Sequence, residues 1–477
     1  MMRGTPKEYH ADFYHNNATD IGEKAGTQFA YGAVLFLTTK RNTNMRFLFQ
    51  HVIIVLLCIT MFTVHSTSAF TQVKVDPEET LYRLPAEYEP HDCIWMVWAV
   101  ESHLDGNLTH FLVMRLIEEL EPFVNVKLIV KGEEEREKVA RFLREEAIPT
   151  HHVSYCVLEE KNKWLRDIGP VFMKNSQGIL KIADFQYNFC GEVDVADPYA
   201  QKIGSIDTEI ARNLGISTIT SNLVSEGGNR EVNGRGTMLA VETVALQRNQ
   251  GKTRDELERE LLRTLGQTKM IWLKQGLAED DKFTRGALPG DIFTASVTGG
   301  HIDEFCRFVG PATILLAEVT PEERDADPIY RMSYERLEEN YRILSEATDQ
   351  DGKPFTIIRV PIADHIIKTS MVKQGDFFLT PRGRLIRNDG SMVNAGETFR
   401  YVLSTSYLNM LITNGAVIVP SYWKPERPES IRLKDEKMQR IVQDVFPMRK
   451  IIRINPEDLN QGGGGIHCIT MQQPAVR

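Results

Sequence analysis

Five times along this chain a helical pattern with one charged face is followed, within a few residues, by a short β-rich run. The helices read at Leu108–Leu120, Ile206–Leu214, Arg254–Leu265, Tyr334–Ala347 and Lys434–Phe446. The runs after them read at Val126–Val130, Ser217–Thr220, Lys269–Leu273, Phe355–Val360 and Lys450–Ile454. Hairpin-like pairs fill the intervals, such as Val171–Met173 with Ile179–Phe185, and Tyr407–Thr413 with Ala416–Pro420 around Asn414-Gly415. A β-β-α-β unit recurring five times, at a spacing of roughly 50–90 residues, points to a repeat architecture. With no strong linker between units, the pattern predicts an α/β fold closed into a ring; a doubly wound sheet and two unrelated α/β domains are the alternatives. In a ring, strands that start at equivalent places converge on one axis.

The N-terminus stands apart from this rhythm. Val52–Val64 is an unbroken apolar run after Met45-Arg46 and before the small residues Ser66–Ala69. That is the layout of a secretory signal peptide, or of an anchor if it stays uncleaved and is counted from Phe47. The expected organisation is an unpatterned extension at 1–44, a leader at 45–69, a linker at 70–83 and a catalytic body at 84–477. Export to a periplasmic or extracellular space follows, with membrane contact only through an uncleaved leader; without a working leader the protein is cytoplasmic. The net charge of −9 carries no basic stripe, which argues against a nucleic-acid partner and suits a small cation. A homo-oligomer is compatible with the sequence. None of the six cysteines forms a C-x-x-C pair, which argues against structural zinc, and loss of Cys58 with the leader leaves an odd number. At least one thiol then needs a purpose. Glu133-Glu134-Glu135 reads as the solvated start of a helix.

Each unit carries one polar cluster beside glycine or a strand start. These are Trp164–Pro170 (W-L-R-D-I-G-P), Ser225–Asn229 (S-E-G-G-N), Gly299–Phe305 (G-G-H-I-D-E-F), Ser406–Asn409 (S-Y-L-N) and Gln461–Cys468 (Q-G-G-G-G-I-H-C). If the third and fifth clusters are strands, alternation puts His301 and Asp303 on one face, turns Glu304 away, and separates His467 from Cys468. His301 is then the better partner for the thiol. The glycines Gly462–Gly465 let backbone and ligand approach closely and leave N–H groups free to meet developing negative charge. A thiol, an imidazole and three carboxylates (Asp167, Glu226, Asp303) exceed what a cysteine protease or amidase needs. The extra acids would raise the thiol pKa. They fit a planar cation: two aspartates can clamp a guanidinium while the thiolate attacks its central carbon.

These motifs, with L-P-A-E-Y-E-P-H-D-C-I-W-M-V-W (Leu84–Trp98) and the ending G-I-H-C-I-T-M-Q-Q-P, resemble the agmatine deiminase and bacterial, Porphyromonas-type peptidylarginine deiminase family. The likeness runs in order from residue 84 to the end. It implies a five-bladed α/β propeller (pentein), with Cys468 as nucleophile and His301 as general acid/base. Asp167 and Asp303 would hold the guanidinium, Glu226 would be a supporting acid, Trp164 would line the cavity, and Asn409 and Gly465 would border the substrate. The implied reaction hydrolyses a guanidino group through a covalent S-alkylthiouronium, releasing ammonia, with no metal or organic cofactor. Three places depart from the family pattern: Ala99-Val100-Glu101 after Trp98, Tyr187–Gly191 where F-N-A-W-G is common, and Gly465 in place of asparagine. All lie where a substrate tail would be read. Phe185–Asp197 holds Glu192, Asp194 and Asp197 but no arginine, which favours a tail that is neutral or cationic, as in agmatine, over arginine side chains of peptides. A guanidine-binding protein without turnover is the remaining reading.

Overall fold

Six small sheets carry the described residues, 82–99 and 109–476 of the computed structural model, and five of the six repeat one pairing scheme. The 1–44 extension, the 45–69 leader and most of the linker lie outside the described residues. The first sheet joins β1 (His91–Val97), β2 (Asn125–Lys131) and β3 (Val153–Leu158). The second joins β4 (Val171–Lys174), β5 (Leu180–Gln186) and β6 (Thr218–Val224), and the third β7 (Glu231–Val232), β8 (Thr237–Val241) and β9 (Lys269–Leu273). After β10 (Ile292–Thr294) comes a fourth sheet of β11 (Cys306–Gly310), β12 (Thr313–Glu318) and β13 (Thr356–Pro361). After β14 (Ile367–Met371) and β15 (Thr398–Val402) comes a fifth, of β16 (Leu411–Thr413), β17 (Ala416–Pro420) and β18 (Lys450–Ile454). The last strand, β19 (Met471–Pro474), returns to the first sheet.

In sheets two to five the first two strands are antiparallel and the third lies parallel to the second. The first sheet follows the same scheme once β19 is included, antiparallel to β1, which is parallel to β2. In each of the five repeats of this scheme a helix makes the parallel crossover, as parallel pairing requires. The five helices are Thr109–Leu120, Ile206–Leu214, Arg254–Leu265, Pro328–Glu346 and Glu429–Val445, all anticipated, with the last two starting earlier than expected. Asp327 caps the fourth by accepting from the N–H of Ile329 at 2.7 Å, ahead of Pro328 in the first turn. Arg254–Leu265 shows why the pattern was readable. Thr253 and Glu256 form a reciprocal capping box, Leu257, Leu261, Thr264 and Leu265 face the core, and Gly266 ends the helix at φ +59°. The glutamate run opens a further helix, Gly132–Glu145.

Neighbouring sheets share apolar cores in chain order. Trp95 and Ile129 pack with Phe172 and Ile182; Val171 and Ile219 pack with Met238 and Ala240. Leu239, Leu315 and Val417 bring sheets three, four and five into one core. Ile418 and Ile452 return to Ile94 and Val126 of the first sheet. Asn414, in the two-residue turn between β16 and β17, accepts from His91 N–H (2.9 Å) and donates to His91 C=O (2.7 Å), tying the fifth sheet to β1. The sixth sheet, β10-β15-β14, was not anticipated. Among the described residues no helix is long and apolar enough to cross a membrane.

Candidate active site

All five polar clusters end just ahead of the first strand of a sheet. A helical turn at Leu165–Ile168 precedes β4, a 3-10 turn at Gly227–Asn229 precedes β7, and one at Ile302–Glu304 precedes β11. Ser406–Asn409 runs into β16, and Gly462–Cys468 into β19. The clusters are therefore turns, and the strand alternation expected for His301–Glu304 and His467–Cys468 does not exist. The correction matters most for Glu304. Instead of pointing away, its Oε1 accepts from Asn409 Nδ2 at 2.9 Å and stands 4.0 Å from Cys468 Sγ.

His301, Asp167 and Asp303 converge on Gly228. A Cβ there would lie 2.4 Å from His301 Nδ1 and 3.2 Å from both Asp167 Oδ1 and Asp303 Oδ1. Only glycine leaves that space open. The Gly228 N–H donates to Asp167 Oδ1 at 3.0 Å. The His301 ring is buried with neither nitrogen hydrogen-bonded, 3.9 Å from Asp167 Oδ1 on one side and 3.9 Å from Glu226 Oε2 on the other. Its backbone N–H is fixed by Asp280 Oδ2 at 2.9 Å, which aims the ring. Burial pushes the Asp167 carboxyl up, partly offset by His301. Burial also works against the Asp303 carboxylate, yet the hydrogen bond and charge of His467 hold it below its ordinary value. His467 donates through Nδ1 to Asp303 Oδ2 at 2.7 Å and lies 2.6 Å from Glu87 through Nε2, leaving Asp303 Oδ1 without a partner. Glu226 is no proton donor: burial is outweighed by Arg248, whose Nε donates to Oε1 at 2.6 Å, so the acid stays ionised.

Cys468 sits at the edge of this group, 3.9 Å from Asp303 Oδ2, with Asn409 Nδ2 donating to Sγ at 3.2 Å. Burial, then Asp303, Glu304 and Asp167, push the thiol well above its ordinary value; the Gly465 N–H works the other way. Glu304 is itself pushed well up, by burial and then by Asp303 and Asp280. A Cβ on Gly464 would lie 2.6 Å from Trp164 Cζ3 and 3.1 Å from Cys468 Sγ, so Trp164 and the thiol flank one open space. A Cβ on Gly465 would meet Asn409 Oδ1 at 2.6 Å. Cys468 and the four other described cysteines are free and buried. Asp303, Glu304 and Cys468 bring three ligand atoms within 4.8 Å of one another, a spacing a thiophilic cation can use.

Residues 83–474 match the model of the Porphyromonas-type peptidyl-arginine deiminase family. The chain belongs to this family. The agmatine deiminase of Pseudomonas syringae pv. tomato is 29% identical over 418 residues, covering 85% of this chain and 99% of that protein. A putative agmatine deiminase of Streptococcus mutans is 28% identical over 412 residues, covering 84% and 98%. Among solved structures, agmatine deiminase of Enterococcus faecalis superposes with a TM-score of 0.64 at 23% identity, covering 85% of this chain and 99% of that one. A putative arginine deiminase from Porphyromonas gingivalis gives 0.59 at 23%, covering 82% and 98%. Both likenesses support the mixed α/β fold of this deiminase family member.

Every residue selected from the sequence lies in this one region. Reading the sequence missed Glu304, Asp280, Arg248 and the Glu87–His467–Asp303 chain. Glu87 lay inside the quoted Leu84–Trp98 motif, and Glu304 inside G-H-I-D-E-F. Arg248 ends a helix at Glu242–Arg248 and carries no motif that would have marked it.

Proposed function

We propose that this protein is a hydrolase acting on the C–N bond of a guanidino group, releasing ammonia, with agmatine as substrate and N-carbamoylputrescine as product. The observation that carries this reading is the convergence of Asp167, His301 and Asp303 on the space left by Gly228, with Cys468 Sγ 3.9 Å from Asp303. The five like sheets form the blades of a closed five-bladed propeller, a reading supported by cores that pass from each sheet to the next and from the fifth back to the first. The clusters at the strand starts then face the axis.

In the first half-reaction Asp167 and Asp303 Oδ1 receive the guanidinium N–H groups. The cation offsets the carboxylates that hold the thiol protonated, so Cys468 passes its proton to His301 as substrate binds. The thiolate attacks the guanidino carbon. His301 protonates the departing nitrogen, and ammonia leaves an S-alkylthiouronium. In the second half, His301 takes a proton from water, the hydroxide adds to the same carbon, and the C–S bond breaks to give the ureido product and free Cys468. Glu226, kept ionised by Arg248, stabilises the His301 imidazolium that forms within each half-reaction. Asn409 and the Gly465 N–H support the thiolate.

A cationic tail suits the acids gathered here, and Glu192, Asp194 and Asp197 lie in the segment expected to meet it. Glu192 is neutralised by Lys282 at 2.6 Å, while Asp194 accepts from the Ala196 N–H in a turn and Asp197 caps the helix Pro198–Gly204. The leader at 45–69 implies export, checked by fractionating expressing cells. The function is tested by ammonia release from agmatine, free arginine and an arginine-containing peptide at equal concentration. Agmatine should give the highest kcat/KM, and Cys468→Ser should abolish all three. A larger kcat/KM on the peptide would reassign the substrate; ammonia release retained by Cys468→Ser would end the mechanism.

A further inference from the structure

Arg230 is buried, 7% exposed; its backbone N–H donates to Gly227 C=O, but among the described residues its side chain makes no hydrogen bond and no ion pair, and Nη1 is fully enclosed without a partner. Its guanidinium lies over the Phe185 ring, 4.6 Å from the centroid. Burial pulls its pKa down to about 10, so it is still a cation at neutral pH. The acids whose field reaches it, Asp167, Glu226 and Asp207, all stand beyond ion-pair distance. An unpaired buried cation is among the most expensive groups a fold can hold, and natural proteins supply it a counter-charge.

Arg230 lines a cavity of about 40 Å³ together with Arg166. Arg166 is 4% exposed, and its Nη2 also lacks a hydrogen bond. Its other nitrogens are used: Nε donates to His467 C=O at 3.2 Å and Nη1 to Gln472 Oε1 at 2.8 Å. Glu87 and Glu231 share the wall but are already satisfied. Glu87 binds Arg307 at 2.8 Å and His467 at 2.6 Å, and Glu231 binds Arg307 at 3.1 Å and the Phe308 N–H at 2.8 Å. Glu87 Oε2 is 3.6 Å from Arg166 Nη2, too far for a hydrogen bond. The cavity thus offers two unfilled guanidinium donors and no unfilled carboxylate.

We propose that this cavity binds a small inorganic monoanion of the halide class, held between Arg230 Nη1 and Arg166 Nη2. A single negative charge suits the one arginine here that has no ion pair, whereas a multiply charged oxyanion would meet Glu87 and Glu231. Arg166 and His467 on the wall are the chain neighbours of Asp167 and Cys468, so the ion buttresses two of the clusters from behind.

The inference does not depend on the substrate reading, because its test needs no turnover. Thermal unfolding is followed in sodium bromide and, at matched ionic strength, in sodium isethionate, whose anion is too large for the site. Bromide should raise Tm saturably, by roughly 2–4 °C. Arg230→Met and Arg230→Gln should lose that rise while keeping the wild-type circular dichroism. If neither variant folds, the wild-type comparison decides, together with the anomalous signal of a bromide-soaked crystal within hydrogen-bond reach of Arg230 Nη1. Equal melting in the two salts, or water alone in the cavity, overturns the proposal.

Discussion

Cys468 in the free protein is a thiol, because burial and three carboxylates all oppose its ionisation. Iodoacetamide inactivation should therefore have its midpoint above pH ~8.5, the value of an ordinary cysteine; a midpoint below it would show a thiolate already formed without substrate. Glu304 gives a second prediction at this scale. Its folded pKa is raised well above the ordinary value. Between the unfolded pKa near ~4.3 and the raised folded one, the folded state binds the extra proton, so stability falls as pH rises through that window. Glu304→Gln keeps an acceptor for Asn409 and removes the titration. Its stability relative to wild type should grow from pH ~4 to neutrality, measured by urea unfolding at several pH values; a difference independent of pH would show that Glu304 is ionised in the folded state. The imidazole and the two aspartates meet at Gly228 and the thiol lies beside Asp303, groups the sequence could nominate because residue chemistry and motif position are local facts. Glu304 was misplaced because side-chain direction in a 3-10 turn does not alternate, and nothing in H-I-D-E declares a turn rather than a strand.

At the scale of elements, the helices and hairpins were legible where the chain punctuates itself: Thr253 with Glu256, Asp327 before Pro328, Asn414-Gly415. The sheet of β10, β14 and β15 was not. Its strands are 3 to 5 residues long; β10 pairs with β15 across about a hundred positions and β14 with β15 across about thirty, so neither periodicity nor a tight turn marks them. It still bears on the site, since a Cβ on Gly463 would lie 2.8 Å from Ala295 C=O, just after β10. The Gly227–Asn229 turn carries the sharpest element-level prediction. Gly228→Ala puts a methyl group into the space shared by His301, Asp167 and Asp303, where no flexible side chain can yield. We expect kcat/KM for agmatine to fall by at least about 100-fold through misplacement of the reacting groups. The far-UV circular dichroism should stay that of wild type, since the turn's backbone is kept. Full activity in that variant would mean the three side chains do not meet around the substrate.

At the scale of the described residues as a whole, the last strand returns to pair with the first. Cys468 lies three residues ahead of Met471, and β19 joins the first sheet through its ladder with β1, the Ala475 N–H to Pro90 C=O hydrogen bond and a few side chains. Met471 is buried in the core shared by the first and second sheets. Gln473 Oε1 accepts from Trp95 Nε1 at 3.0 Å, and Gln472 Oε1 accepts from Arg166 Nη1 at 2.8 Å. Losing a buried methionine alone costs about 2–5 kcal/mol, and each buried hydrogen bond left half-made adds about 1–3. That sum approaches the whole stability of an ordinary domain, about 5–15 kcal/mol. A chain ending at Thr470 keeps every residue assigned to catalysis yet frees the segment that holds the thiol. It should melt at least about 10 °C lower than the full chain, or fail to fold, and release no ammonia from agmatine. Removing Arg477 alone should change neither. The milder Gln473→Ala should lower Tm by a few degrees while activity follows the folded fraction, which separates loss of the closing strand from loss of a reacting group. If the chain ending at Thr470 melts like wild type, sheet closure through β19 does not position Cys468, and the thiol must be held by Asn409 and the Trp164 turn alone.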